Sequence, residues 1–296
     1  LIRLINKVII TYKCAIWQAA MRRWFAHCAL VTGIKISTKE KAMRTFIREK
    51  RIYCGHEYLE VDLVPLTGKR IGGRRRKRKE KVSAPAQKNL NDKKAKRYFR
   101  QLVKCNFKNG DLHVSCTYKP DKMPATLEAA EKEVSNYIRR INYHRKKMGK
   151  GNIRYLIVTE GTVKGDRLVR LHHHILMEAE DRNLVEDLWA KNGKRIGFAN
   201  ADRLQVDGDG GLEAISRYLS KDPSGRKRWR GSQNLVKPVQ ATNDHKYSKV
   251  EQLALVADDD RLTWGKLYPG WQMVTCASIW NEVMGWHIYV EFRRVE

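Results

Sequence analysis

Three consecutive histidines, His172, His173 and His174, stand in the middle of the apolar run LVRLHHHILM at 168–177. A run rich in alternating and β-branched residues is expected to form a strand, which sends successive side chains to opposite faces. His172 and His174 would then share a face, about 7 Å apart along the strand, within reach of one divalent cation. His173 would point the other way with Leu171 and Ile175. An H-x-H pair is common by chance, and a histidine-rich strand with satisfied hydrogen bonds is the simpler alternative. Glu160 favours the metal reading. It closes the preceding apolar segment IRYLIVTE (153–160), and a hairpin that pairs it with the His172/His174 face brings its carboxylate to the same point. Two imidazoles and one carboxylate leave positions open for phosphate oxygens, which suits Mg2+ or Mn2+; a closed structural zinc site wants four protein ligands. A strand-end glutamate facing solvent is the alternative.

A second pair of reactive side chains lies in ISRYLSKDP (215–223). On a helix Tyr218 and Lys221 are i and i+3 and share a face. A phenol has a pKa of about 10 and is a poor nucleophile at neutral pH. A nearby ammonium and a metal-bound phosphate would make attack by its oxygen feasible. By itself, Tyr-x-x-Lys reads equally as an amphipathic helix with a half-buried tyrosine.

The elements that must position these residues follow from periodicity. Residues 91–107 read as a helix and DLHVSCTY (111–118) as a strand. Thr126–Met148 is a strong helix, with Leu127, Ala130, Val134, Ile138, Ile141 and Met148 on one stripe. Residues 153–159 form a central strand buried on both faces and 168–177 its hairpin partner. Helices are expected at 181–192, with Leu184, Leu188 and Trp189 inward, and from Leu212 to about Lys221, with a short strand at 203–206 between them. The order β-α-β-β-α-β-α implies an α+β domain of ferredoxin-like character, an antiparallel sheet with helices laid across it. Residues 246–257 suit a helix, and 271–293 a C-terminal β-hairpin.

The chain carries 60 Lys and Arg against 32 Asp and Glu, a net charge of +28. Such an excess is self-repulsive unless an anionic partner offsets it; nucleic acid is the commonest such partner and an anionic membrane surface the second. Two basic stretches are natural phosphate contacts: Arg74, Arg75, Arg76, Lys77 and Arg78 in an arm at 69–90, and Arg226, Lys227, Arg228 and Arg230 in a later loop. Trp229 could stack on an unpaired base or belong to the core. The six cysteines contain no C-x-x-C pair and read as reduced thiols of a cytosolic protein. Lys13, Arg22 and Arg23 interrupt the apolar stretch 8–34, so it is not read as a membrane span. Residues 1–42 are expected to be an upstream extension with little function. A strand-rich segment at 43–68, the arm, a catalytic domain at 91–238 and a C-terminal helix and hairpin at 239–296 follow.

Together, VTEGTVKGDRLVRLHHHILM and RYLSKDP, in this order after the strand DLHVSCTY, resemble the HUH endonucleases, named for their His-hydrophobic-His motif. Within them the chain is most similar to single-tyrosine rolling-circle replication initiators of phages and mobile elements. The resemblance implies Glu160, His172 and His174 as metal ligands, Tyr218 as nucleophile and Lys221 as the lysine that follows it. It also implies metal-dependent nicking and joining of single-stranded DNA through a 5'-phosphotyrosine, freeing a 3'-OH primer. Implied partners are single-stranded DNA at an origin or hairpin and a host polymerase and helicase in the bacterial cytoplasm, with no membrane. His173 departs from the motif, which has a hydrophobic residue there. A relaxase or single-strand transposase would use the same chemistry, and a non-enzymatic basic nucleic-acid-binding protein would explain the charge alone.

Overall fold

The computed structural model describes residues 45–67, 85–164, 167–206, 211–221, 227–256, 260–282 and 284–295. The expected extension at 1–42, the arm residues Arg74, Arg75, Arg76, Lys77 and Arg78, and Arg226 lie outside the described residues. Apart from Thr45 and Thr67, the described residues belong to one compact unit, Phe46–Leu66 with Ile71–Glu296.

In chain order the elements are β1 (Thr45–Cys54), β2 (Tyr58–Thr67), α1 (Pro85–Asn106), β3 (Leu112–Thr117), α2 (Leu127–Lys147), β4 (Tyr155–Lys164) and β5 (Arg167–Met177). There follow α3 (Arg182–Asp187), β6 (Ala190–Lys191), β7 (Lys194–Arg195), β8 (Ala199–Arg203), α4 (Glu213–Leu219), β9 (Arg230–Gly231) and β10 (Val239–Asn243). The chain closes with α5 (Lys249–Ala254), α6 (Arg261–Leu267), β11 (Trp271–Asn281) and β12 (Gly285–Arg294). The architecture is α+β with antiparallel sheets.

One five-stranded sheet has the order β8-β3-β5-β4-β9 and carries the histidine run in its middle strand. Alternation divides its two faces. Leu112, Val114, Cys116, Ile157, Leu171, Ile175 and Met177 pack on one side against α2, which buries Ala130, Val134, Tyr137, Ile138 and Ile141 at helical spacing. That helix starts at Thr126, whose hydroxyl accepts from the Ala129 N–H, and ends in the basic run His144–Lys147, which complements its dipole. On the other side Leu156, Val158 and Leu176 meet Phe99, Leu102 and Val103 of α1, with Leu212 and Leu219 around α4.

The other five-stranded sheet, β10-β1-β2-β12-β11, joins the two ends of the described chain. The first two described strands and the C-terminal hairpin, read from the sequence as separate segments, share this sheet. β2 pairs with β12, from Tyr58↔Arg293 to Leu63↔Ile288, so neither hairpin has to expose its inner edge. One face packs on α5 and α6 through Tyr247, Leu255, Trp264 and Tyr268. The opposite face meets the polar stripe of α1. There Arg97 binds Glu60 at 2.8 Å and Asp62 at 3.0 Å, Gln101 donates to Glu60 at 2.7 Å, and Lys104 pairs with Glu291. α1 thus serves both sheets, with Phe99, Leu102 and Val103 towards one and Arg97, Gln101 and Lys104 towards the other.

Other boundaries moved for local reasons. α1 begins at Pro85, a residue suited to a first helical turn. The helix expected at 181–192 stops at Asp187. Asn192 and Gly193, at φ 50° and 75°, turn the chain into the small β6–β7 hairpin instead. The strand expected at 203–206 lies earlier, at Ala199–Arg203, where β8 pairs with β3. The helix expected at 246–257 shortens to Lys249–Ala254, started by a Ser248/Glu251 capping box, and α6 follows behind an Asp260 cap. Among the described residues no helix is long and apolar enough to cross a membrane.

Candidate metal centre and nucleophile

The β4–β5 register decides the site. Glu160 lies directly opposite His172, Val158 opposite His174, and Thr159 opposite His173. Directly opposed residues of antiparallel strands project to the same face, so Glu160 joins His172 and His174. A register shift between Glu160 and Thr162 follows at once, and a Cβ on the intervening Gly161 would stand 3.1 Å from Leu171 Cδ1. The bulge therefore interrupts regular pairing beside the carboxylate before it resumes at Thr162↔Val169, and close strand approach there favours glycine.

Glu160, His172 and His174 each offer one ligand atom, all within 4.8 Å of one another. His172 Nε2 is 3.5 Å from Glu160 Oε2, and His172 Nδ1 donates to the Arg170 carbonyl at 2.7 Å, so Nε2 is the nitrogen turned towards the carboxylate. Arg170 reaches this position with a φ of 52°, unusual for a residue with a side chain. His174 Nδ1 lies 3.1 Å from His113 Nε2 and 3.2 Å from Ser115 Oγ. Its Nε2 is buried without a hydrogen-bond partner. Burial, with His113 and His172 nearby, lowers its pKa to about 4, so its imidazole is neutral at pH 7 and keeps a lone pair. A buried imidazole nitrogen lacking a hydrogen bond, next to a second imidazole and a carboxylate, fits a bound divalent cation.

His173 has the opposite fate. It is 0% exposed, between the Tyr118 hydroxyl at 2.8 Å from Nε2 and the Thr159 hydroxyl at 2.9 Å from Nδ1. Burial, then Arg230, pushes its pKa down to about 3. It fills the core as a neutral, doubly hydrogen-bonded ring.

Tyr218 lies on the same side of the sheet as His174. α4 buries Ser216 and Leu219 and leaves Tyr218 55% exposed, with its ring centroid 5.5 Å from that of His174. The first residue of the helix, Glu213, is tied to Arg217 at 2.8 Å, Arg100 at 3.3 Å and Lys104 at 3.5 Å. Lys221 does not continue the helix face expected of it: α4 ends at Leu219, and Lys221 sits exposed in the following turn, its N–H bonded to the Tyr218 carbonyl.

The later basic loop divides. Lys227 is exposed, and Arg228 pairs with Asp92. Arg230, expected as a phosphate contact, instead donates to Ser135 Oγ and the Glu131 carbonyl on α2, both at 3.1 Å. That is the His173 side of the sheet, away from Glu160, His172 and His174. Trp229 packs on Phe99, with centroids 5.3 Å apart, so the core reading applies to it. The sequence reading missed His113 and Ser115, although the alternation of DLHVSCTY places both on the face that carries His174.

No curated protein and no solved structure matches the chain. A family model for replication-associated proteins of the ORF2 type does match, over residues 111–223. That stretch runs from just before β3 to just past α4 and includes Glu160, His172, His174 and Tyr218, and the similarity supports a role in replication.

Proposed function

We propose that this protein is a replication initiator that nicks and rejoins single-stranded DNA through a covalent bond to Tyr218. The observation that carries the reading is the grouping on one face of β4 and β5: a carboxylate, two imidazoles with ligand atoms within 4.8 Å, and a phenol ring 5.5 Å from His174. The match at 111–223 to a replication-associated family supports an initiator over a relaxase or transposase with the same chemistry.

Glu160, His172 and His174 would hold Mg2+ or Mn2+, which supplies Lewis-acid polarisation and orientation of the scissile phosphate. The chain's own groups do the rest. Basic side chains such as Lys227, with the basic arm Arg74–Arg78 and Arg226, grip the strand by its phosphates. Tyr218 Oη attacks phosphorus in line and loses its proton. The bond from phosphorus to the 3' oxygen breaks, that oxygen takes a proton, and the 5' phosphate remains on the tyrosine. Lys221, just beyond the nucleophile's helix, supplies positive charge for the transferring phosphate. The reaction exchanges one phosphodiester for another, so the reverse step needs no ATP. The 3'-OH serves a host polymerase, with a host helicase, in the bacterial cytoplasm.

The test uses end-labelled single-stranded oligonucleotides tiling the replicon that carries the gene. With Mn2+, one tile should give a covalent adduct on a denaturing gel, abolished by EDTA, with the DNA on the Tyr218 peptide. Tyr218→Phe should lose the adduct and keep DNA binding. A full-strength adduct from Tyr218→Phe, or no adduct on any tile, overturns the reading.

A further inference from the structure

We infer that His113, assisted by Ser115, is a positioning residue that fixes which ring nitrogen of His174 carries the proton and so aims the Nε2 lone pair at the cation. The inference rests on the metal reading above.

The two imidazole ligands are held by different means. At His172 the partner of Nδ1 is the Arg170 carbonyl, 2.7 Å away, which can only accept. That proton is fixed by the backbone. At His174 the partners of Nδ1 are two side chains, His113 Nε2 at 3.1 Å and Ser115 Oγ at 3.2 Å, both from the neighbouring strand β3. Either group can accept or donate, so the tautomer of His174 depends on what they do. A lone pair on Nε2 requires a proton on Nδ1, donated to His113 or Ser115, and a bond to His113 places that ring's own proton on its Nδ1. Of the two, Nε2 of His174 is the nitrogen left buried without a hydrogen bond.

Packing fixes the ring plane as well. His113 stacks on His174 with centroids 5.2 Å apart and planes 23° apart. Tyr218 meets the His174 ring edge-on, its plane at 78°. His174 therefore has its orientation set from β3 while it touches the residue proposed as nucleophile. Ser115 lies directly opposite His174 in the β3–β5 register, and His113 opposite Asp202 on β8.

The test compares the unaltered protein with three variants, the third being His172→Ala. His113→Phe/Ser115→Ala keeps an aromatic ring for stacking and removes both partners. His113→Gln restores an amide oxygen that accepts. Free Mn2+ is counted by electron paramagnetic resonance, and the His174 tautomer is read from ring nitrogen shifts in metal-free protein. The double variant should bind Mn2+ about 10–100-fold more weakly, the usual effect of losing a group that orients a ligand. Its His174 should populate both tautomers, where the unaltered protein holds only the Nδ1–H form. His113→Gln should recover most of the affinity. Unchanged affinity in the double variant, or weaker binding with an unchanged tautomer, overturns the inference. If the unaltered protein binds Mn2+ and His172→Ala abolishes this while the double variant does not, the positioning role fails and the metal reading stands. An unaltered protein that takes up no Mn2+ overturns both.

Discussion

Two polar clusters, one on each five-stranded sheet, differ in how they are satisfied. Between α1 and the β10-β1-β2-β12-β11 sheet, charges meet charges, Glu60 and Asp62 with Arg97 and Glu291 with Lys104, and His287 hydrogen-bonds Asp62 at 3.1 Å. On the other sheet, Glu160, His172 and His174 bring ligand atoms within 4.8 Å of one another. Among the described residues, five buried side-chain polar atoms lack a hydrogen bond, on Glu49, Arg51, Arg97, Glu213 and His174. The first four residues all belong to ion pairs. Only the His174 atom stands outside one. A structural network neutralises itself, whereas a site built for a cation keeps a lone pair waiting.

That contrast can be broken at several points. The largest effect should come from the ligands. Glu160→Ala and His172→Ala should each weaken Mn2+ binding by more than the roughly 100-fold limit usual for residues that only orient a ligand. Their melting temperatures should hardly move, since both side chains are partly exposed. Titration calorimetry beside a thermal melt reads both quantities. Arg97→Ala should behave inversely: it leaves Glu60 and Asp62 buried without their cation, and chemical denaturation should show a loss of about 3–5 kcal/mol. Mn2+ affinity should be unchanged; a ligand-sized fall in Arg97→Ala would mean that the two clusters are not separate devices.

His173 sharpens the comparison within one tripeptide. His173→Ala opens a cavity and strands the Tyr118 and Thr159 hydroxyls, so denaturant titration should show a loss of about 2–4 kcal/mol. The folded fraction should still bind Mn2+. Equal loss of metal binding in His173→Ala and His172→Ala would show that the wrong pair of histidines has been assigned.

The smallest effect concerns acid. Burial pushes the Asp62 carboxyl up, but the His287 hydrogen bond and Arg97 outweigh it and hold the group below the usual carboxylate range. A folded pKa below the unfolded one gives stability that is complete above the unfolded value and is lost as pH falls through the folded value. Asp62→Asn should therefore flatten the decline in stability below about pH 4 and leave the slope near neutrality alone. An unchanged acid limb would remove Asp62 from the network.

The sequence by itself determined the parts whose signal is local. The stripe of α2, the alternation of DLHVSCTY and LVRLHHHILM, and the H-x-H spacing follow from side-chain periodicity alone. Alternation was enough to separate His173 from His172 and His174. The Asn192-Gly193 turn was equally local, but an amphipathic helix reading of 181–192 masked it. Tertiary structure decided whatever depends on strands far apart in the chain. The 43–68 hairpin found its partner more than two hundred residues later, and Arg230 turned to α2 because β9 pairs with β4 at Ile157↔Arg230. The register that sets Glu160 opposite His172, and the β3 neighbour that brings His113 to His174, were likewise invisible in the sequence. A slip of one residue would send Glu160 to the other face, and only the packed sheet forbids that slip.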